Sequence, residues 1–205
     1  MKSSIWGDLL ERWFAIIGHR APSEGTLNLN DLPGSGGRMD VLVRAVNAAL
    51  FVSHGIRDYS HVILHLMGGE GPNRRIWFDG TRIGGVRPDE RSIAGQIKRI
   101  NKLPILPRNR FEEFSSGILH SGGDIYQTLQ DWGERGVTPV LLDADGGDFN
   151  SILNLDKLGF ILSDDQPFSD QDKAGFHGLA SLSLGGEWLQ GHSCISIIHH
   201  LLDES

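Results

Sequence analysis

The sequence lacks the marks of several protein classes. Among its 205 residues Cys194 is the one cysteine, so no disulfide can form within the chain, and a cytoplasmic location is expected. No apolar run approaches the roughly 18 residues that span a membrane, so we expect no membrane contact. The first residues carry charge but no apolar stretch, which leads us to expect no signal peptide.

Motifs for metals, dinucleotides and nucleotide hydrolysis are missing as well. The nine histidines show neither the His-Glu-x-x-His pattern nor zinc spacing with cysteine, so we expect no metal. Asp143, Asp145 and Asp148 are spaced as in a calcium loop, but the glutamate that ends such a loop is absent. The glycines of residues 33–37 match neither Gly-x-Gly-x-x-Gly nor the Gly-Lys-Ser/Thr loop, which argues against a dehydrogenase or a nucleotide hydrolase.

Basic residues are scarce in the second half of the chain. Residues 1–110 carry 16 lysines and arginines against 10 acidic residues, whereas residues 111–205 carry 3 against 16. Such asymmetry indicates contact with nucleic acid through the basic half. The alternative is that the charge of the acidic half only keeps the protein in solution. In addition, the net charge of −7 repels a polyanion such as RNA at long range.

Strand and helix patterns alternate along the chain. Apolar runs predict strands at residues 12–18, 61–68, 138–143, 159–163 and 181–184. A period near 3.6 predicts helices at residues 39–55, 88–102, 124–135 and 194–202, with a hairpin at 75–83 and a short helix near 110–115. Alternating strands and helices favour one α/β domain with a mostly parallel sheet.

Glycine-rich loops supply the candidate ligand sites. Residues 185–191 join the last strand to the last helix, and their glycines let the backbone approach a small ligand such as a nucleoside cofactor. Residues 33–38 precede a helix and place Arg38 beside glycines, which suits a phosphate, although Ser35 acting as a helix cap explains them equally well. For both loops the alternative is that the residues only pack within the fold and bind no ligand.

Four segments together resemble one family. Residues 32–40 (Leu-Pro-Gly-Ser-Gly-Gly-Arg-Met-Asp), 51–57, 88–94 and 181–199 are similar to the archaeal tRNA pseudouridine N1-methyltransferases (the TrmY family) of the SPOUT superfamily. The similarity runs from Arg12 to the C-terminus. It implies a single SPOUT domain over residues 1–205, with residues 1–11 as an extension, a C-terminal trefoil knot and a homodimer. It also implies S-adenosylmethionine as the cofactor and tRNA as the expected RNA, with a T-loop pseudouridine as target.

The resemblance also implies site residues. The cofactor contacts would be Leu142, Ser163, Leu182, Leu184, Cys194 and Ile195, and Ser163 stands where the family usually has glycine. The catalytic candidates are two carboxylates that would take the N1 proton and two arginines that would stabilise charge on the ring: Asp40, Asp89, Arg38 and Arg91. The RNA contacts would be Arg38, Arg44, Arg57 and Arg91.

Two other functions remain open at this point. A SPOUT methyltransferase acting on a different RNA or base atom would carry the same motifs. A dimeric RNA-binding protein without catalysis would keep the arginines but would have no use for the cofactor loops.

Overall fold

The computed structural model describes residues 10–152 and 155–204. The strands are β1 (Glu11–Pro22), β2 (Phe51–Val52), β3 (Gly55–Ile56), β4 (Ser60–Gly68), β5 (Arg74–Asp79), β6 (Glu112–Ser115), β7 (Ile118–Gly122), β8 (Thr138–Gly147), β9 (Lys157–Ser163) and β10 (Ala180–Leu182). The helices are α1 (Met39–Leu50), α2 (Glu90–Ile100), α3 (Ile125–Arg135), α4 (Asp170–Gly175) and α5 (Gly191–Asp203), and a 3-10 turn covers Phe149–Ile152.

Eight strands form one mixed sheet in the order β10-β8-β9-β1-β4-β5-β7-β6. The pairs from β10 to β4 are parallel, and the three pairs from β4 to β6 are antiparallel. Four of the seven pairs are therefore parallel, and the predicted α/β class with a mostly parallel sheet is confirmed. Strands from both halves of the chain share this sheet, with β1 beside β9.

The sheet lies between two layers of helices. Successive side chains of β1 point to opposite faces, as the period of a strand requires. Phe14 and Ile16 pack in the core beneath α1, α2 and α5, whereas Trp13 and Ile17 pack in the core beneath α3. All four side chains are at most 2% exposed, so the central strand is covered on both sides. Apolar residues on both faces explain why residues 12–18 form one unbroken apolar run.

The structure corrects three predicted elements. Helix α1 ends at Leu50 rather than near residue 55, because Phe51–Val52 turns back in an antiparallel ladder with Gly55–Ile56. Residues 75–83 do not form a hairpin, because β5 ends at Asp79 and pairs with β4 on one side and β7 on the other. The short helix near 110–115 is wrong, since Glu112–Ser115 pairs with β7 at the sheet edge.

Two irregularities in the ladders lie at the carboxyl edge of the parallel strands. The register of β1 against β4 shifts between Gly18 and Pro22. The register of β10 against β8 shifts between Ser181 and Leu182, so residues 142–146 of β8 leave the ladder. Parallel strands bring their carboxyl ends to one edge, where α/β proteins bind ligands. Both register shifts therefore leave residues without regular strand pairing at the edge of the sheet where a ligand site is expected.

Candidate active site

A cleft of about 800 Å³ opens at the carboxyl ends of β8, β9 and β10. Its walls are the displaced part of β8, the loop after β9 and the loop from β10 to α5, with Arg38 and Val41 added from the start of α1. Five of the six predicted cofactor residues line it, namely Leu142, Ser163, Leu182, Leu184 and Cys194. The sixth, Ile195, is fully buried in the core and does not line the cleft.

The shape of the cleft depends on a close approach between β8 and β10. A Cβ atom at Gly146 would lie 2.4 Å from the carbonyl carbon of Leu182, so a larger residue there would push the two strands apart. After Leu141 the ladder with β9 ends, and pairing with β10 resumes at Gly147. The residues between them bulge outward and become the cleft wall.

The lining combines leucine side chains with unpaired carboxylates. Leu182 is buried and Leu142 and Leu184 are partly buried, which gives the cleft an apolar floor. The acidic side chains of Asp143, Asp145 and Glu187 form no ion pair with any described residue, and they line the same cleft. Lys173 and Arg38 line the cleft as well, so the site suits a ligand that has a flat apolar part and charges of both signs.

Ser163 and Cys194 present different groups to the cleft. The Ser163 hydroxyl donates to the carbonyl oxygen of Gln166, so it is held within its own loop. The thiol of Cys194 is partly buried and lies 3.9 Å from the carbonyl oxygen of Leu189, and burial raises its pKa. The thiol is therefore protonated and acts as an apolar contact.

A histidine joins the loop after β9 to α4. Nδ1 of His19 lies 3.0 Å from Asp164, and Nε2 lies 2.9 Å from Asp172. The backbone N–H of His19 also donates to Asp164 over 2.8 Å. Hydrogen bonding to Asp164 and to Asp172 raises the pKa of His19 to about 9, although burial opposes the shift. Sequence reasoning gave His19 no such role, because its partners lie 145 and 153 residues away along the chain.

Three of the predicted substrate and catalytic residues form one network at the cleft. Nε of Arg38 donates to Asp40 over 3.0 Å, and Nη1 donates to Asp165 over 2.9 Å. Arg44 donates to the second carboxylate oxygen of Asp40, and Arg20 donates to Asp165. Both oxygens of Asp40 are thus engaged by guanidinium groups, and hydrogen bonding to Asp40 raises the pKa of Arg38.

Arg38 has an uncommon backbone conformation. Within the described residues it is the one residue other than glycine with a positive φ, at 63°. It follows Gly37, where a Cβ atom would lie 2.0 Å from the carbonyl oxygen of Arg20, so only glycine lets this loop pass so close to β1. A left-handed conformation costs an ordinary residue about 1–2 kcal/mol, and such residues concentrate at ligand sites.

A smaller groove of about 390 Å³ lies on the other side of the α5 N-terminus. Arg44, Asp89 and His192 all line it. Asp89 caps α2 by accepting a 2.8 Å hydrogen bond from the backbone N–H of Ser92, as its position before the helix suggests. Nδ1 of His192 is buried and has no hydrogen-bond partner among the described residues. Burial and the charge of Arg44 lower the pKa of His192, so this ring is neutral at neutral pH.

The other two predicted arginines lie apart from this network. Arg91 is exposed on α2 and donates to the side chain of Asn30 over 3.1 Å. Arg57 donates to Asp203 over 3.0 Å and lies beyond the C-terminal end of α1, about 18 Å from Arg38 by the rise of that helix. Arg57 therefore does not join Arg38 and Arg44, and its contact with RNA stays a prediction.

Two kinds of site are absent from the described parts of the chain. Over residues 10–152 and 155–204, no three or more histidine, cysteine, aspartate or glutamate side chains come together in a way that could hold a metal ion. No helix in the same residues has the length and hydropathy that crossing a membrane would require.

Known proteins share both the sequence and the fold. Residues 11–205 match the family model described as "Putative SAM-dependent RNA methyltransferase". The chain is 35% identical over 191 residues to the tRNA (pseudouridine(54)-N(1))-methyltransferase of Methanospirillum hungatei, covering 93% of this chain and 95% of that protein. It is 34% identical over 202 residues to the enzyme of the same name from Haloarcula marismortui, covering 94% and 96%. The chain belongs to this methyltransferase family.

A solved structure supports the same assignment at the level of the fold. The crystal structure of Archaeoglobus fulgidus Nep1 bound to S-adenosylhomocysteine superposes with a TM-score of 0.64 and 13% identity, covering 95% of this chain and 97% of that one. The chain therefore shares the fold of that structure, and the relatives and the family model confirm the predicted family.

Proposed function

We propose that this protein transfers the methyl group of S-adenosylmethionine to N1 of a pseudouridine in tRNA. The observation that carries the proposal is the cleft at the carboxyl edge of the sheet, where the predicted cofactor residues meet the Arg38–Asp40–Arg44 network. The relatives from Methanospirillum and Haloarcula are named for pseudouridine 54, and we extend that position to this chain.

The residues of the cleft fit this cofactor. When bound, S-adenosylmethionine supplies a methyl group on a positively charged sulfur. Leu142, Leu182 and Leu184 would cover its apolar base, and Asp143 and Asp145 would attract its positive charge. A neutral sulfide product is attracted less by the same carboxylates, which favours its release.

The arginine network would receive the nucleotide. Arg38 lines the cleft and Arg44 lines the neighbouring groove, so a substrate that spans both meets two guanidinium groups. These groups suit a phosphate or the negative charge that develops on the ring. Asp40 orients both arginines, because both of its oxygens accept hydrogen bonds from them.

A separate group would take the proton of N1. Of the two predicted carboxylates, Asp89 uses one oxygen to cap α2, and its other oxygen has no hydrogen bond with a described residue. Asp40 has no such free oxygen. Asp89 therefore has the free carboxylate oxygen that a proton acceptor needs, and because it lies with His192 in the neighbouring groove and not in the cofactor cleft, it would take the N1 proton through a bridging water or from a base that reaches the groove.

The assembly is part of the proposal. One sheet shared by both halves supports a single domain. The knot that the resemblance implies is a further part of the proposal; it would be formed where the chain leaves the sheet edge at β10 and returns to the centre, with α5 packed on α1 and His199 beside Arg12 of β1. Exposed apolar side chains at Val52, Ile56 and Leu201 are candidates for the dimer contact. We place the reaction in the cytoplasm because tRNA is the proposed substrate.

The direct test is transfer of a labelled methyl group. The protein is incubated with labelled S-adenosylmethionine and a synthetic tRNA that carries pseudouridine at position 54, with uridine at that position as the control. The proposal predicts N1-methylpseudouridine in the nucleoside digest and no label with uridine. Label in another nucleoside would support a different base as the target. Cofactor binding without any transfer to tRNA would overturn the proposed substrate.

A further inference from the structure

One large apolar side chain stands exposed at the mouth of the cleft. Trp188 lies in the loop from β10 to α5, lines the cleft and is 84% exposed. The other described tryptophans, Trp13, Trp77 and Trp132, are at most 8% exposed. Tryptophan is normally largely buried, because its ring carries a large apolar area. The exposed indole of Trp188 beside a ligand cleft therefore indicates that a ligand packs against it.

The loop holds this side chain outward between two fixed points. Ser183 accepts the backbone N–H of Gly185 at 3.1 Å, and Gly185 has a positive φ of 114°. At the other end the carbonyl oxygen of Gln190 accepts from the backbone of Ser193 and Cys194 at the start of α5. Between these points Trp188 makes no hydrogen bond or ring contact with any residue of the described chain. The indole face is free to receive a flat ligand.

The reaction provides a flat ligand at this place. A nucleobase that is methylated in a folded RNA must leave its stack to reach the methyl donor, and the lost stacking has to be replaced. Aromatic side chains do this for every base, because each base has a π-face. Arg38 lines the same cleft and supplies the cation that RNA requires.

We propose that Trp188 is a stacking platform for an unpaired nucleobase of the RNA substrate at the mouth of the cofactor cleft. This inference rests on the proposed function and adds a residue that the family resemblance did not assign. It predicts that Trp188 contributes to RNA affinity and contributes little to cofactor affinity.

Fluorescence tests the contact without relying on activity. The emission of the wild-type protein minus that of Trp188→Phe isolates Trp188, since the remaining tryptophans are common to both proteins. An RNA stem-loop with one pseudouridine in its loop is titrated into each protein. Saturable quenching of the Trp188 signal by the RNA, and none by S-adenosylmethionine alone, is the expected result.

Binding by three variants separates stacking from simple apolar contact. Trp188→Ala should weaken binding of the stem-loop by about 5- to 150-fold, the equivalent of about 1–3 kcal/mol. Trp188→Phe should weaken it less, and Trp188→Leu should resemble Ala, because leucine is apolar but has no ring to stack. All three should keep the wild-type melting temperature, because the side chain is exposed, and their cofactor affinity should change much less than their affinity for the stem-loop.

Several outcomes would overturn the inference. Quenching by S-adenosylmethionine alone would mean that the indole covers the cofactor. Quenching that depends on protein concentration without RNA would place a second copy of the chain on it. Equal stem-loop affinity of wild type and Trp188→Ala would exclude the platform even if the wild type methylates tRNA. If the wild type neither binds nor methylates RNA, the proposed function fails and this inference fails with it.

Discussion

Single residues at the cleft are arranged by short-range ion pairs. Arg38 takes a left-handed conformation and reaches Asp40 on one side and Asp165 on the other. The strain of that conformation is offset in part by ion pairs that, at such partly exposed positions, are worth about 0.2–1 kcal/mol each. Arg38 is therefore held in place before any ligand arrives, which reduces the ordering cost of binding.

Replacing Arg38 by alanine tests its role in RNA binding. Arg20 is the matched control, because it pairs with the same Asp165 but does not line the cleft. Arg38→Ala should raise the KM for tRNA about 10- to 100-fold with little change in cofactor affinity, since it removes a charged contact to RNA. Arg20→Ala should change the KM much less. Steady-state kinetics and cofactor titration decide between them, and equal effects of the two variants would contradict the assignment.

Local sequence predicts some of these residues and misses others. Asp40 and Arg44 are four residues apart in α1, so their pairing follows from the spacing of the helix, and Arg38 lies just before that helix, two residues from Asp40. His19 and Asp172 meet only through the sheet order, which no local pattern encodes. The exposure of Trp188 likewise depends on where the last loop lies.

The helices and strands that the sequence predicted correctly are those with a clear pattern of apolar residues or clear end signals. The strands at residues 12–18 and 159–163 are apolar runs in the middle of the sheet, and the helix at 124–135 is bounded by a capping aspartate and a closing glycine. Strand β6 is Glu-Glu-Phe-Ser at the sheet edge, where one face meets solvent, so it carries no apolar run. Its pairing with β7 is a tertiary contact that overrides the local preference.

Helix α4 and the loop after β9 depend on one protonated histidine, which makes stability depend on pH. The pKa of His19 is raised to about 9 in the folded protein, against an ordinary value near 6.5. A raised folded pKa means that the stabilisation is complete below pH 6.5 and is lost as the pH rises to 9. The expected loss is about 1–2 kcal/mol, less than the full shift would give because solvent screens the pair.

Urea unfolding at pH 6, 7.5 and 9 measures this effect. His19→Gln should be less stable than wild type at pH 6 and nearly equal to it at pH 9, because glutamine has no charge to lose. His200→Gln is the control, since His200 is exposed on α5 and has no part in the bridge. A difference between wild type and His19→Gln that stays constant from pH 6 to pH 9 would refute the ionic bridge.

On the scale of the whole molecule, the two halves of opposite charge pair with each other. Among the described residues, seven arginines of the first half form ion pairs with carboxylates of the second half, namely Arg12 and Arg57 with Asp203, Arg20 and Arg38 with Asp165, Arg75 with Asp131, Arg82 with Glu113, and Arg110 with Glu112. Part of the charge asymmetry is thus internal, and it does not by itself indicate RNA. The fold places Arg38 of the basic half at a cleft whose other walls come mostly from the acidic half, and this position could not be read from the charge distribution along the sequence.

The account as a whole requires S-adenosylmethionine to bind in that cleft. Hydrogen–deuterium exchange with and without the cofactor tests this most directly, because it reports protection along the whole chain. Exchange should slow at residues 142–146, 163–168 and 184–194, and should stay unchanged at Arg74–Asp79 and Ile118–Gly122 on the antiparallel side of the sheet. Unchanged exchange in the three cleft segments at a saturating cofactor concentration, or protection confined to the antiparallel side, would contradict the account.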